Sequence, residues 1–184
     1  FPTRGGVTRT RLAAVSTSSA SLQGTWDPNV NGSVYAVAAN AAGTVVYVGG
    51  AFTKVQGISR YYIAALNSTV STLDSFAPEA DNTVRALAVD GSYVYAGGDF
   101  GSSIGGAVRC GVAKLDGSTG AAVAGWTGAA SSVYALALNS TATHVYVGSV
   151  YAGVGGKARS GLAAFDRTTG VATDWNPSPN AEST

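Results

Sequence analysis

The sequence predicts an all-β chain built from β-propeller-type repeats of about 50 residues, with four short strands in each. Three observations predict it. Four separate markers recur in one phase along all 184 residues. Short runs rich in Val, Tyr and Ala alternate with glycine-rich turns. Nowhere does a long stripe with a period of 3.6 residues and helix caps occur.

The markers are read by aligning the chain with itself. Val-Tyr/Arg-Ala begins at Val34, Val84 and Val133, and Val-Tyr-Val/Ala-Gly-Gly/Ser begins at Val46, Val94 and Val145. An arginine precedes an aliphatic-Ala pair at Arg9, Arg60, Arg109 and Arg159, and a large aromatic follows at Trp26, Phe76, Trp126 and Trp175. These steps divide the chain into the second half of a unit over 1–33 and three units over 34–83, 84–132 and 133–184.

Each element of the unit has its own reason. Val34–Ala38 and Val45–Val48 are β-prone runs joined by Asn40-Ala41-Ala42-Gly43, a hairpin composition. A link from Gly49 to Gly57 leads to a third strand at Tyr61–Leu66, and a turn leads to a fourth run ending at Phe76. The equivalent turns, Asp116-Gly117-Ser118-Thr119-Gly120 and Asp166-Arg167-Thr168-Thr169-Gly170, carry Asp, Ser, Thr and Gly where tight turns want them. Three whole units and a two-strand start predict about 14 strands. A β-solenoid is the alternative, although its coil is usually shorter.

Val46-Tyr47-Val48-Gly49-Gly50-Ala51-Phe52 with Arg60–Asn67, and Leu162-Ala163-Ala164-Phe165-Asp166 with Thr169-Gly170 and Trp175-Asn176-Pro177, resemble the bacterial delta-60 β-propeller repeats, a domain of unknown function. They are also similar to the kelch-like repeats of fungal cortical polarity markers. The resemblance spans nearly the whole chain. It implies a secreted or surface-displayed propeller, hence an extracellular or cell-surface location, and no catalytic residue. Ser149, Tyr151 and the missing Asn-Pro after Trp126 depart from the pattern.

Composition bounds the chemistry. Charged residues are only 11%, with Lys plus Arg 11 against Asp plus Glu 10, so the chain has no net field to draw nucleic acid to it. No apolar run is long enough for membrane insertion as a helix. The single cysteine, Cys110, precludes an internal disulfide, and a lone thiol outside the cell is best kept buried. With His144 the only histidine, neither a zinc site nor a Cys-His nucleophile is expected. Asp90, Asp99, Asp116 and Asp166 sit at equivalent turns or isolated loops, so no enzyme and no cofactor are predicted.

Repetition in every unit favours an inter-sheet core role for Trp26, Phe76, Trp126 and Trp175 over a sugar-stacking ladder. It likewise favours Arg9, Arg60, Arg109 and Arg159 tying strand-end carbonyls. Asp27-Pro28-Asn29-Val30-Asn31-Gly32 opens like a calcium loop but reaches Ala38 where the closing acid belongs. Sequons mark Asn31, Asn67 and Asn139 as candidate glycosylation sites, a weak signal in so Ser/Thr-rich a chain.

Phe1–Arg9 aligns without a gap to Phe52–Arg60, and Trp175–Thr184 matches Trp26–Ser33 before stopping short of the next strand. The chain thus starts and ends within a unit. Unpaired strand edges are expected over 1–33, covered either by further repeats of a longer chain or by another copy, making a homo-oligomer or polymer. Function reads as a structural or adhesive surface protein. The alternative is a module binding a glycan or peptide, whose mark would be one unit differing in aromatics or acids; Tyr151 and Tyr61-Tyr62 are the mild candidates.

Overall fold

The computed structural model describes residues 8–139, 141 and 143–177, apart from the side chains of 151 and 152. Among the described residues there are eleven strands and no helix. They are β1 (Ser33–Ala39), β2 (Val45–Ala51), β3 (Lys54–Val55), β4 (Ile58–Ser59), β5 (Ile63–Asn67), β6 (Val84–Asp90), β7 (Tyr93–Gly98), β8 (Val112–Asp116), β9 (Val133–Leu138), β10 (His144–Val154) and β11 (Lys157–Asp166).

Three antiparallel sheets, β1-β2-β5, β6-β7-β8 and β9-β10-β11, share one order, and β3-β4 forms a small separate hairpin. The central strand of each carries the Val-Tyr-Val/Ala-Gly phrase, which is paired on both sides and accordingly apolar. β1 packs beside β6 and β6 beside β9, so the sheets stack in chain order. Between the first and second lie Tyr47, Ile63, Ala65, Phe76, Val84, Val94 and Leu115. Between the second and third lie Tyr95, Val112, Trp126, Val133, Val145, Val147 and Phe165.

Three expectations are corrected. The fourth strand of each unit does not form: it shrinks to the single bridges Leu66 to Leu73, Leu115 to Ala122 and Phe165 to Ala172. After one bridge the chain turns away to carry its aromatic residue into the next inter-sheet space, which leaves no length for a ladder. Eleven strands therefore replace the expected 14 among the described residues. Over 8–32 there is no strand either, only the bridges Val15 to Leu22 and Val30 to Val55. Leu12 stands where Ile63 does, but among the described residues no strand equivalent to β2 lies beside it. That segment is held by side chains instead, with Leu12, Trp26 and Val30 packed on Val48, Phe52, Ala64 and Leu66 of the first sheet. The terminal alignments beyond 8 and 177 lie outside the described residues.

The glycine pair in the first two central strands explains how tightly the sheets nest. A Cβ on Gly49 would lie 2.7 Å from Val84 Cγ1, and one on Gly97 would lie 2.5 Å from Val133 Cγ1, so each glycine seats a valine of the next sheet. At Gly50 and Gly98 a Cβ would fall 2.0 and 2.1 Å from the Ser33 and Thr83 carbonyl oxygens. Ser149 replaces this second glycine in the third sheet, its hydroxyl donating to the Ser131 carbonyl at 2.5 Å. There β10 and β11 run on as one long hairpin as far as Val154 and Lys157.

Candidate functional site

Each first strand is bulged at the same point. Val34 faces Gly50 and Ala36 faces Gly49, leaving Tyr35 over; Arg85 is left over between Val84 and Ala86, and Tyr134 between Val133 and Ala135. A bulge re-aims its extra side chain, and here the three converge. The Arg85 guanidinium lies 5.6 Å from the Tyr35 ring centroid and 4.7 Å from that of Tyr134. Asp99 anchors it, accepting from Arg85 Nε at 2.8 Å and pairing with Nη2 at 2.5 Å. That hydrogen bond, ahead of the opposing burial, raises the Arg85 pKa further. Tyr35 and Tyr134 remain about half exposed. A guanidinium held between two ring faces joins three sheets side by side.

The marker arginines share another pattern. Nη1 donates to the preceding carbonyl in Arg9, Arg60, Arg109 and Arg159. Nη2 of Arg9, Arg109 and Arg159 also reaches the carbonyls of Gln23, Val123 and Thr173, tying the turn after the third strand to its start. Arg9 is the most buried of the four, donating to Trp26 as well and pairing with Asp27 at 3.6 Å.

One aromatic pair recurs with them. Tyr47 meets Phe76 edge-on at 5.1 Å, Tyr95 meets Trp126 at 5.9 Å, and Tyr146 meets Trp175 at 5.2 Å. The first two pairs are buried between sheets. Trp175 departs from the burial expected of it: it is 44% exposed, because no fourth sheet covers Tyr146 among the described residues. Trp26 is buried at 4% and donates from Nε1 to the Asn67 carbonyl.

The two inter-sheet spaces differ in their polar ends. Between the second and third sheets, Lys114 reaches the Arg167 carbonyl at 3.1 Å with its Nζ 4.2 Å from the Tyr93 ring centroid, and Arg167 forms an ion pair with Asp90. Burial holds the Lys114 ammonium below its ordinary pKa. Between the first and second sheets the corresponding residues are Ala65, Gly117, Val45 and Asn40. A cavity of about 330 Å³ opens there, lined by Asn40, Tyr47, Asp74, Ser92, Gly117 and Ser118 among others. The Tyr47 hydroxyl donates to the Gly117 carbonyl at 2.9 Å. Burial, then the carboxylates of Asp74 and Asp116, push this phenol above its usual range.

The remaining expected sites are scattered. The amide oxygen of Asn31 accepts from the Thr53 and Lys54 backbone, that of Asn67 from Thr69 and Val70, and that of Asn139 from Thr143 and His144. Asn29 accepts from Thr10, so the oxygens of the calcium-like loop already have partners. Cys110 is exposed rather than buried, because it occupies the outward slot filled elsewhere by Tyr61 and Ser160. Tyr61 is exposed, and the side chain of Tyr151 lies outside what is described. The sequence signal for the guanidinium stack is the middle residue of Val-Tyr/Arg-Ala, where an arginine stands between two tyrosines, a difference that the period of the phrase conceals. Asp74 and Gly117 carried a signal too, as departures from Val123, Thr173 and Arg167.

Neither a protein-family model nor a curated protein matches the chain. Solved structures do. The computationally designed Ika4 protein is similar over 80% of this chain and 74% of its own, with TM-score 0.54 and 17% identity. Hydrazine synthase of Kuenenia stuttgartiensis is similar over 79% of this chain and 35% of its own, with TM-score 0.53 and 9% identity. At such identities the likeness concerns the fold alone.

Proposed function

We propose that this chain is a secreted or cell-surface structural and adhesive repeat scaffold of the β-propeller type, whose sheets extend by adding further sheets of the same kind head to tail. One observation carries the reading. The outer face of the third sheet keeps the features that the first two use to receive a neighbour: the edge-on pair Tyr146 and Trp175, and Gly148, equivalent to the valine-seating Gly49 and Gly97. Among the described residues only Ala135, of its own sheet, comes within 3.3 Å of a Cβ built on Gly148. A half-exposed tryptophan beside an unfilled glycine seat is apolar surface whose burial would be favourable. The proposal assigns no catalytic residue, cofactor or nucleic-acid partner.

Sedimentation equilibrium over a dilution series tests it. The expected result is a species heavier than 18.3 kDa that dissociates on dilution and is lost in Trp175→Lys. A folded monomer at every concentration would refute assembly by this chain.

A further inference from the structure

We infer that the cavity between the first and second sheets is a binding site for a cationic side chain, lysine or arginine, of a partner polypeptide. The molecule's own second inter-sheet space supplies the comparison, and the site does not depend on assembly.

At the next inter-sheet space the chain supplies two long basic side chains of its own. Lys114 ends on the Arg167 carbonyl above Tyr93, and Arg167 pairs with Asp90. One repeat earlier, Ala65 stands for Lys114, Gly117 for Arg167 and Val45 for Tyr93. Three large side chains are shortened at once, while the backbone frame is retained: Gly117 N donates to the Ser92 carbonyl at 2.7 Å, just as Arg167 N donates to Thr143 at 2.9 Å. The resulting space, about 330 Å³, is ample for one long side chain.

Its charge is the complement of what was removed. Asp74 replaces the Val123 and Thr173 of the other units, is half-buried, and lines the cavity. Its Oδ1 accepts the Phe76 amide and shares the Ser75 hydroxyl with the Ser118 carbonyl, leaving Oδ2 for a further donor. None of the lining residues is basic. A half-buried carboxylate beside hydroxyls and a carbonyl suits an ammonium or guanidinium, whose several donors each need an acceptor.

Amide-detected NMR titration of the whole chain tests this with Nα-acetyl-arginine amide and Nα-acetyl-lysine amide, against neutral Nα-acetyl-citrulline amide. Saturable shifts are expected at Ser92, Gly117 and Ser118, with citrulline about tenfold weaker. Asp74→Asn should weaken the cationic compounds by a similar factor. Asn40→Asp, which installs the acid that Asp90 provides one repeat on, should tighten them several-fold. Equal binding of citrulline, no saturable shift at millimolar concentration, or unchanged affinity in both variants would overturn the inference. Saturation by glucosamine but by neither amino-acid amide would overturn its assignment to a polypeptide.

Discussion

Lys114 donates from Nζ to the Arg167 carbonyl in the place where, one repeat earlier, the Tyr47 hydroxyl reaches Gly117. The substitution of one donor for another leaves the equivalent tyrosine, Tyr95, with a buried hydroxyl that has no partner among the described residues.

Tyr95→Phe should therefore stabilise the fold by about 1–2 kcal/mol, since it removes an unsatisfied buried group. Tyr47→Phe should cost about 1 kcal/mol, because it breaks a bond that is made. Urea unfolding of the two variants checks the opposite signs.

Burial, with a smaller contribution from Tyr93, pushes the Tyr95 phenol up to about 12. A phenol with a raised folded pKa contributes stability that is complete below its ordinary value near 10 and is lost as pH climbs through 12. Unfolding midpoints should fall across that window, and fall less in Tyr95→Phe.

The Asp166 and Asp116 carboxylates are held below the usual range, chiefly by the amides and hydroxyls of Thr169 and Thr119. Their contribution is present above an ordinary carboxylate pKa and disappears as pH falls through the depressed one. Asp116→Asn keeps the acceptor, as Asn67 does in the first unit, so it should change little at neutral pH and flatten the acid limb of a stability profile.

Trp126 is fully buried and Trp175 is not. Trp126→Ala should cost about 3–5 kcal/mol through cavity formation. Trp175→Ala should cost less than half as much in the dispersed chain, as measured by denaturant titration.

Gly98→Ala would press a methyl group against the Thr83 carbonyl, 2.1 Å from its oxygen. A loss of about 3 kcal/mol is expected, from overpacking against backbone that cannot move aside. Ser149→Gly should be far milder, since it fills no occupied space and gives up the hydroxyl's bond to the Ser131 carbonyl. Thermal unfolding separates the two.

The strand runs were legible in the sequence because a central strand paired on both sides must be apolar, and Val46–Val48, Val94–Ala96 and Val145–Val147 are. The missing fourth strand was not legible. Leu73 and Ala122 have the composition of a strand, but the chain's departure after one bridge is set by where Phe76 and Trp126 must arrive, which is a tertiary demand. The burial of Trp26 and Trp126 follows from repetition, yet repetition could not tell that Trp175 stands at the end of the described stack. The cavity at Asp74 was hidden for a related reason: alignment draws the eye to what recurs, while a site is made by what differs.

The bulges at Tyr35, Arg85 and Tyr134 have a consequence for how such a chain can change. A residue left over from the ladder contributes no register of its own, so its side chain can be exchanged without sliding one strand against another. Tyrosine and arginine already occupy this socket in successive units of one molecule. The row along the first strands of the three sheets is thus an alphabet that mutation can respell without a slip of register, at the cost of whatever the exchanged side chain was holding.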